Sequence, residues 1–222
     1  MCVRTWKLFA TAILAVWLSG CGTMYATVKD RQSRDVMLLG HDPVAYFTDA
    51  KPTQGHADLA RTVESRTYYF VSEEHRAMFD ASPKQFEPQY GGFCSNGTPF
   101  KVKLGSDPSE WEIVDGRLFI FGDYGGRETW KLDREFYIKK ADEYWPEIER
   151  KGWRGQSLKA IYLTHVPHYQ TGWDQIAKWE AKHGKPFPNE KHGNVLLHLI
   201  RVPGWRAATG YGIPAVGWPD DR

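Results

Sequence analysis

The chain has 222 residues, of which 41% are hydrophobic, 14% aromatic and 25% charged, and its formal net charge is +2. These proportions exclude a disordered or collagen-like chain, and so small a charge excludes nucleic-acid binding driven by bulk charge. The three cysteines are too few for a disulfide-rich scaffold in a chain of this length.

The first 20 residues have the pattern of a secretory signal. A short cationic start precedes residues 8–18, which are apolar apart from one threonine and too short to span a bilayer comfortably as a helix. The sequence LSGC follows at 18–21, and small residues before a cysteine resemble the bacterial lipobox, in which the cysteine receives a diacylglycerol thioether. We therefore expect residues 1–20 to be a lipoprotein signal peptide and Cys21 to be the lipid attachment site. An ordinary signal and an uncleaved N-terminal anchor remain alternatives.

Removal of the signal changes the charge and the thiol count. Without Arg4 and Lys7 the mature chain holds 27 cationic and 27 anionic side chains, so we expect lipid rather than charge to attach it to the membrane. Gly22, where an aspartate would favour retention at the inner membrane, favours the outer membrane facing the periplasm in a Gram-negative envelope. Cys94 would then be the one free thiol, in an oxidising compartment.

Three segments of different composition follow the signal. Residues 21–34 are polar without periodicity, which predicts a tether between membrane and domain. Residues 35–151 predict a compact domain. Residues 152–222 are rich in Trp, His, Gly and Pro, which predicts a C-terminal extension that wraps the domain or presents a surface to an envelope protein.

The first predicted elements are extended. Residues 44–47 (VAYF) predict a short strand. Residues 59–64 and 66–72 predict an antiparallel pair that turns near Ser65.

Helices are predicted next. Ser72 is a predicted N-cap, with two glutamates placed to favour the helix dipole, and Pro83 opens a second short helix. The predicted face of the first helix carries His75, Met78 and Phe79.

A hairpin and a longer helix complete the domain. Asp115-Gly116, between the extended runs 111–114 and 117–121, is the strongest hairpin signal in the chain. A longer helix is predicted from Leu132-Asp133 up to an interruption at Pro146. The predicted fold class is therefore α+β, a small antiparallel sheet with packed helices, followed by the aromatic-rich extension.

In the extension, residues 173–182 predict an amphipathic helix, and the apolar run 194–202 predicts a buried segment. The predicted apolar face of that helix carries Trp173, Ile176, Ala177 and Ala181. The five histidines of the extension have irregular spacing, which favours incidental positions over a metal site: His165, His168, His183, His192 and His198.

The order of several motifs resembles stand-alone bacterial YHS-domain proteins. The matching segments are GHDPVAYF at 40–47, YYFVSEEHRAMF at 68–79, SPKQFEPQYGGFC at 82–94, DPSEWEIVDG at 107–116 and YIKKADEYWP at 137–146. The resemblance covers about residues 36–149 and implies the YHS-like fold. The sequence departs from the family at His41, where tyrosine is frequent, at residues 95–99, and throughout the extension.

The resemblance also implies some chemistry. YHS domains are related to metal-binding modules that use cysteines, although stand-alone secreted members have mostly lost these and have no agreed function. Some members carry selenocysteine at the position of Cys94, which implies redox or soft-metal chemistry there.

Cys94 is the strongest candidate in the sequence for a metal ligand or a nucleophile. A thiolate binds Cu(I) or Zn and is a nucleophile when its pKa is low, and the preceding Gly91-Gly92 pair permits a tight turn. The alternative is an inert, buried thiol. His75 is the second candidate, as a metal ligand or base near Cys94, against the alternative of a partly exposed helix histidine.

Four further residues are candidates for ligand binding. Asp42 and His41 could add an oxygen and a nitrogen, although Asp-Pro is also a common turn. Tyr46 and Tyr90 are candidate pocket-lining residues.

No standard metal motif or catalytic signature is present in the sequence, so we assign no catalytic residue and favour a binding module over an enzyme. We expect a lipid-anchored envelope protein that binds copper, zinc or a small ligand near Cys94, with Cys94 and His75 as the metal candidates. Its expected partners are the membrane, through the lipid, and an envelope protein, through residues 152–222. The alternatives are a thiol-dependent oxidoreductase using Cys94 and a structural or partner-docking envelope protein.

Overall fold

The structure, a computed structural model, describes residues 23–160, 166, 168, 170 and 172–188. The strands are β1 (Thr27–Lys29), β2 (Asp35–Met37), β3 (His56–Val63), β4 (Arg66–Phe70), β5 (Asp107–Val114) and β6 (Arg117–Phe121). The helices are α1 (Ala45–Thr48), α2 (Glu73–Ala81), α3 (Pro83–Phe86), α4 (Tyr124–Trp130), α5 (Arg134–Ile148), α6 (Trp153–Lys159) and α7 (Gly172–His183). The expected signal peptide at residues 1–20, Cys21 and the run 194–202 lie outside the described residues.

The strands form two sheets. Four strands lie in the order β1-β2-β4-β3, while β5 and β6 form a separate antiparallel hairpin. β1 and β2 are antiparallel, as are β3 and β4, but β2 pairs with β4 in parallel, with Val36 opposite Thr67. The α+β prediction is confirmed, and the parallel pair is an exception to the expected antiparallel pattern.

The predicted turns and caps are present. The β5–β6 hairpin turns at Asp115 and Gly116, which have φ angles of 50° and 71°, as a tight hairpin turn requires. Ser72 accepts the backbone N–H of His75 and so caps α2, and Pro83 opens α3. These local signals identified the elements correctly because each acts within a few residues.

The strand predicted at residues 44–47 is wrong, because the chain forms helix α1 there. The Asp42 carboxylate accepts the backbone N–H of Val44 at 2.8 Å and that of Ala45 at 3.4 Å, while Pro43 fits the first turn. This cap outweighs the strand propensity of Val, Tyr and Phe. The predicted interruption at Pro146 is also wrong, since α5 continues to Ile148. In the last turn, a proline removes only one hydrogen bond of the helix.

The described part of the expected tether, residues 23–34, is instead built into the fold. β1 pairs with β2, and Ala26 is buried with its N–H donated to Gly91 O at 2.8 Å. The Asp30 carboxylate accepts the Tyr69 hydroxyl at 2.7 Å and Arg34 Nε at 2.6 Å, which fixes the turn between β1 and β2. These long-range contacts attach a polar segment that has no periodicity of its own.

Two large clusters form most of the described core, with β6 between them, and a smaller third cluster holds Ala26, Phe93 and Trp153. Leu118 and Ile120 face the cluster formed with the four-stranded sheet and α2, whereas Phe119 and Phe121 face the cluster formed with α4 and α5. This follows from the alternation of side chains along a strand. The predicted candidates are divided between the two large clusters, with Tyr46 in the first and Tyr90 and Cys94 in the second.

Candidate functional site

Asp42 is a fully buried carboxylate with several hydrogen-bond donors around it. Oδ1 accepts the two N–H groups that begin α1, and Oδ2 accepts the backbone N–H of Val71 at 2.9 Å. Oδ2 also lies 2.7 Å from His75 Nδ1. A buried carboxylate is tolerated when its oxygens are satisfied in this way. The candidate pair Asp42 and His75, predicted separately, is therefore in direct contact.

This contact fixes the His75 ring. A carboxylate can only accept, so Nδ1 carries the proton and Nε2 presents its lone pair when the ring is neutral. Nε2 lies 3.4 Å from Thr48 Oγ1, and 12% of the His75 side chain is exposed. A carboxylate that orients one imidazole nitrogen is the arrangement by which proteins prepare histidine for a proton or a ligand.

His41 and Tyr46 use their polar atoms on the backbone. His41 Nδ1 lies 2.9 Å from Leu38 O, and burial lowers the pKa of the ring. The Tyr46 hydroxyl donates to Pro108 O at 2.9 Å, and burial raises its pKa well above the usual value. The His41 ring therefore contacts its own segment before α1, and the Tyr46 hydroxyl holds α1 against β5, so neither polar atom is directed at a shared ligand.

Cys94 lies in the other large cluster of the core. It is buried, and its N–H donates to Leu104 O at 3.0 Å. Burial, with a smaller effect of Asp123, raises the pKa of the thiol to about 11. This environment matches the alternative of an inert, packed thiol.

The structure does not bring Cys94 and His75 together. The polar neighbours of His75 are Asp42 and Thr48, whereas those of Cys94 are backbone groups and Asp123. Across the described ranges, no group of three or more His, Cys, Asp or Glu side chains is placed to hold a metal ion. A copper or zinc site shared by Cys94 and His75 is therefore not supported.

Tyr90 belongs to a network that holds the PQYGG turn. Its hydroxyl donates to Asp142 at 3.0 Å, and the same carboxylate accepts two bonds from Arg117, at 2.6 and 2.9 Å. Arg117 also donates to Gln89, so its guanidinium holds Gln89 directly and Tyr90 through Asp142. Burial raises the Tyr90 pKa, and its φ of 53° marks a left-handed backbone. The motif residues Gln89, Tyr90, Arg117 and Asp142 thus serve the fold.

The extension contacts the domain through residues that the sequence did not single out. Gln175 on α7 is buried, and its Oε1 accepts Asn96 Nδ2 at 2.9 Å and Thr129 Oγ1 at 3.2 Å. Asn96 lies in residues 95–99, where the sequence departs from the pattern that resembles YHS-domain proteins. The extension therefore contacts the domain at this segment. Helix α7 packs against the domain through Asn96 and Thr129.

The apolar face predicted for α7 is wrong. Its buried residues are Gln175 and Trp179, whereas Trp173 is 81% exposed. Two described histidines also have structural partners: His168 Nε2 lies 2.8 Å from Pro99 O, and His183 stacks on Trp179. His165, His192 and His198 lie outside the described residues.

Lys103 is the other residue that sequence reasoning missed. It is fully buried, and its ammonium donates to three backbone carbonyls, Met24 O at 2.9 Å and Glu149 O and Lys151 O at 2.8 Å each. The rings of Phe93 and Trp145 lie 5.1 and 5.0 Å from Nζ. Burial lowers the pKa of Lys103 to about 7. A lysine between valine and leucine carries no local signal of such a role.

No family model matches the chain, and no curated protein or solved structure matches it. Among the described residues, none of the helices is long and apolar enough to cross a membrane.

Proposed function

We propose that this protein is a lipid-anchored binding protein of the bacterial cell envelope, built on a YHS-like domain. The lipid is attached at Cys21, and the protein faces the periplasm from the outer membrane. The observation that carries the binding role is the buried Asp42 carboxylate that orients His75. Burying a carboxyl group in the core costs stability, and the four donors around Asp42 offset this cost. The same arrangement leaves one fixed imidazole edge at the surface.

The ligand is proposed to meet His75 rather than Cys94. Nε2 of a neutral, oriented imidazole accepts a hydrogen bond from a small polar ligand or donates its lone pair to a Zn or Cu ion that brings its other ligands with it. Cys94 offers neither, since its thiol is buried and stays protonated at neutral pH. The same reason argues against the thiol-dependent oxidoreductase.

The test is a comparison of histidine variants of the mature lipoprotein. Native mass spectrometry of protein released gently from membranes, before and after addition of Zn²⁺ or Cu⁺, measures what it carries. We expect an adduct in the wild type and in His56→Gln, an exposed control, and its loss in His75→Gln. No adduct in the wild type, or the same adduct in His75→Gln, would refute the role of His75.

One observation favours a second role, docking of an envelope protein on the extension. Trp173 projects from α7 with 81% exposure, and tryptophan is enriched at the centre of protein interfaces. Crosslinking in membranes from cells that express wild type or Trp173→Ala tests this. Identical crosslinked partners in both would remove the role of this face.

A further inference from the structure

The described fold begins directly after the proposed lipid attachment site. Trp153 donates its N–H to Thr23 O at 3.3 Å, and the N–H of the buried Ala26 is held by Gly91 O. Only Gly22 separates Cys21 from Thr23. Five residue steps from Cys21 to Ala26 span at most about 17 Å even when fully extended. The lipid therefore cannot hold the domain away from the bilayer, and the surface around Thr23 has to lie next to the headgroups.

Lys103 joins this point of the chain to the turn after α5, which carries Arg150 and Lys151 beside Glu149. Its ammonium binds the carbonyl of Met24 on one side and those of Glu149 and Lys151 on the other. Because one buried group holds all three carbonyls, the start of the domain and the turn after α5 have a fixed relative position. The orientation of one determines the orientation of the other.

The side chains at this position suit a phosphate surface. Met24 is 43% exposed, the Lys151 side chain is 53% exposed, and Arg150 is exposed without an ion pair to the described residues. Glu147 lies 2.7 Å from Lys101 and 3.7 Å from Lys151, so one carboxylate is shared between two lysines. We refer to Met24, Arg150 and Lys151 as the anchor face.

We propose that the anchor face rests on the membrane, with Arg150 and Lys151 against lipid phosphates and Met24 at the level of the headgroups. This inference rests on the proposed lipid anchor at Cys21. The protein then has one orientation on the membrane. The short link from Cys21 to Ala26 keeps the start of the domain at the bilayer, and Arg150 and Lys151 turn their side of the domain toward the anionic lipids.

A fluorophore comparison tests the orientation in the lipidated protein. Arg150→Cys places the dye on the anchor face. Lys51→Cys places the dye far from the anchor face. Residue 51 precedes His56, the first residue of β3, and this strand of eight residues is about 26 Å long. The other end of β3 lies near the anchor face, since Val63 pairs with Arg66, whose guanidinium lies over the ring of Tyr25, the neighbour of Met24. The buried Cys94 is expected to stay unlabelled.

The vesicles contain phosphatidylglycerol, phosphatidylcholine and a lipid with a spin-labelled headgroup as quencher. We expect quenching of the dye at 150 to be several-fold stronger than at 51. Equal quenching would overturn the proposed orientation. The intact mass of the same sample reports lipid on Cys21 separately, so an unlipidated protein refutes the anchor, while a lipidated protein with equal quenching refutes only the anchor face.

A charge reversal gives a second measurement. The mature chain with Cys21→Ser is sedimented with phosphatidylglycerol vesicles at low salt. Arg150→Glu with Lys151→Glu should weaken binding at least about tenfold, since each cation near an anionic surface contributes several-fold. The control, Lys51→Glu with Lys84→Glu, makes the same change in net charge at exposed positions and should retain most of the binding. Equal weakening in both pairs would contradict the proposal.

Discussion

Asp42 Oδ2 and His75 Nδ1 lie 2.7 Å apart, so the first residue of the DPVAYF motif and the third residue of α2 form one hydrogen-bonded pair. The same carboxylate caps α1 and holds Val71 at the end of β4. A single buried side chain therefore connects the start of α1 with β4 and α2, which follow about 30 residues later, and it presents the ring proposed to meet the ligand.

Replacement of this carboxylate should be costly. Asp42→Asn removes the charge and puts an N–H₂ group where an acceptor is needed, so we expect a loss of about 2–4 kcal/mol in the free energy of unfolding. Urea denaturation measures it. Asp49→Asn, at an exposed position after α1, is the matched control and should change little. A similar, small loss in both variants would show that the Asp42 contacts do not stabilise the fold.

The thiol of Cys94 should be unreactive in the folded protein. A rise of its pKa from 9.0 to about 11 lowers the thiolate fraction at pH 8 by about a hundredfold, and burial limits access further. Alkylation by iodoacetamide, followed by mass spectrometry, should be slow at pH 8 in the folded protein. It should become fast in about 8 M urea, where the chain is unfolded. Rapid alkylation without denaturant would instead restore Cys94 as a candidate nucleophile.

Lys103 should make stability depend on pH. Its folded-state pKa of about 7 lies below the ordinary lysine pKa of 10.5, so above pH 7 the unfolded chain binds more protons than the folded one. The free energy of unfolding therefore rises with pH between these values, by up to about 1.4 kcal/mol per pH unit from this group. Below pH 7 both states are protonated, and this contribution stays at its minimum.

The measurement is denaturant unfolding between pH 7 and 8, where the Cys94 thiol, whose ordinary pKa is 9.0, is still almost fully protonated in the unfolded chain as well. Lys103→Met should abolish the rise and also lower stability, because three partly buried carbonyls lose their donor. Lys139→Met, at an exposed position of α5, should keep the rise. If the wild type and Lys103→Met have the same slope, Lys103 does not titrate in this range.

Gln175 should control how tightly the extension is attached. Gln175→Leu leaves Asn96 and Thr129 without their acceptor, so we expect α7 to detach more often and trypsin to cut at Lys178 several-fold faster. Ala181→Gln, at an exposed position of the same helix, is the control and should not change the cleavage rate. Unchanged cleavage in Gln175→Leu would mean that aromatic packing around Trp179 alone holds α7.

The sequence by itself determined the elements whose signals are local. The β3–β4 pair, the hairpin at Asp115-Gly116, the Ser72 cap and the existence of α7 all depend on a few adjacent residues. A local signal also explains the error at residues 44–47, where the cap from Asp42 and Pro43 competes with strand propensity and prevails.

Only the tertiary structure decided which of the candidate residues meet. It joined Asp42 to His75, left Cys94 in the other large cluster of the core, and revealed Lys103 among three carbonyls from distant segments. Burial and long-range pairing set the charge and reactivity of these groups, and neither is encoded in the spacing of neighbouring residues. That is why the sequence could name Cys94 and His75 as candidates, whereas the fold determined that only His75 has an oriented edge at the surface.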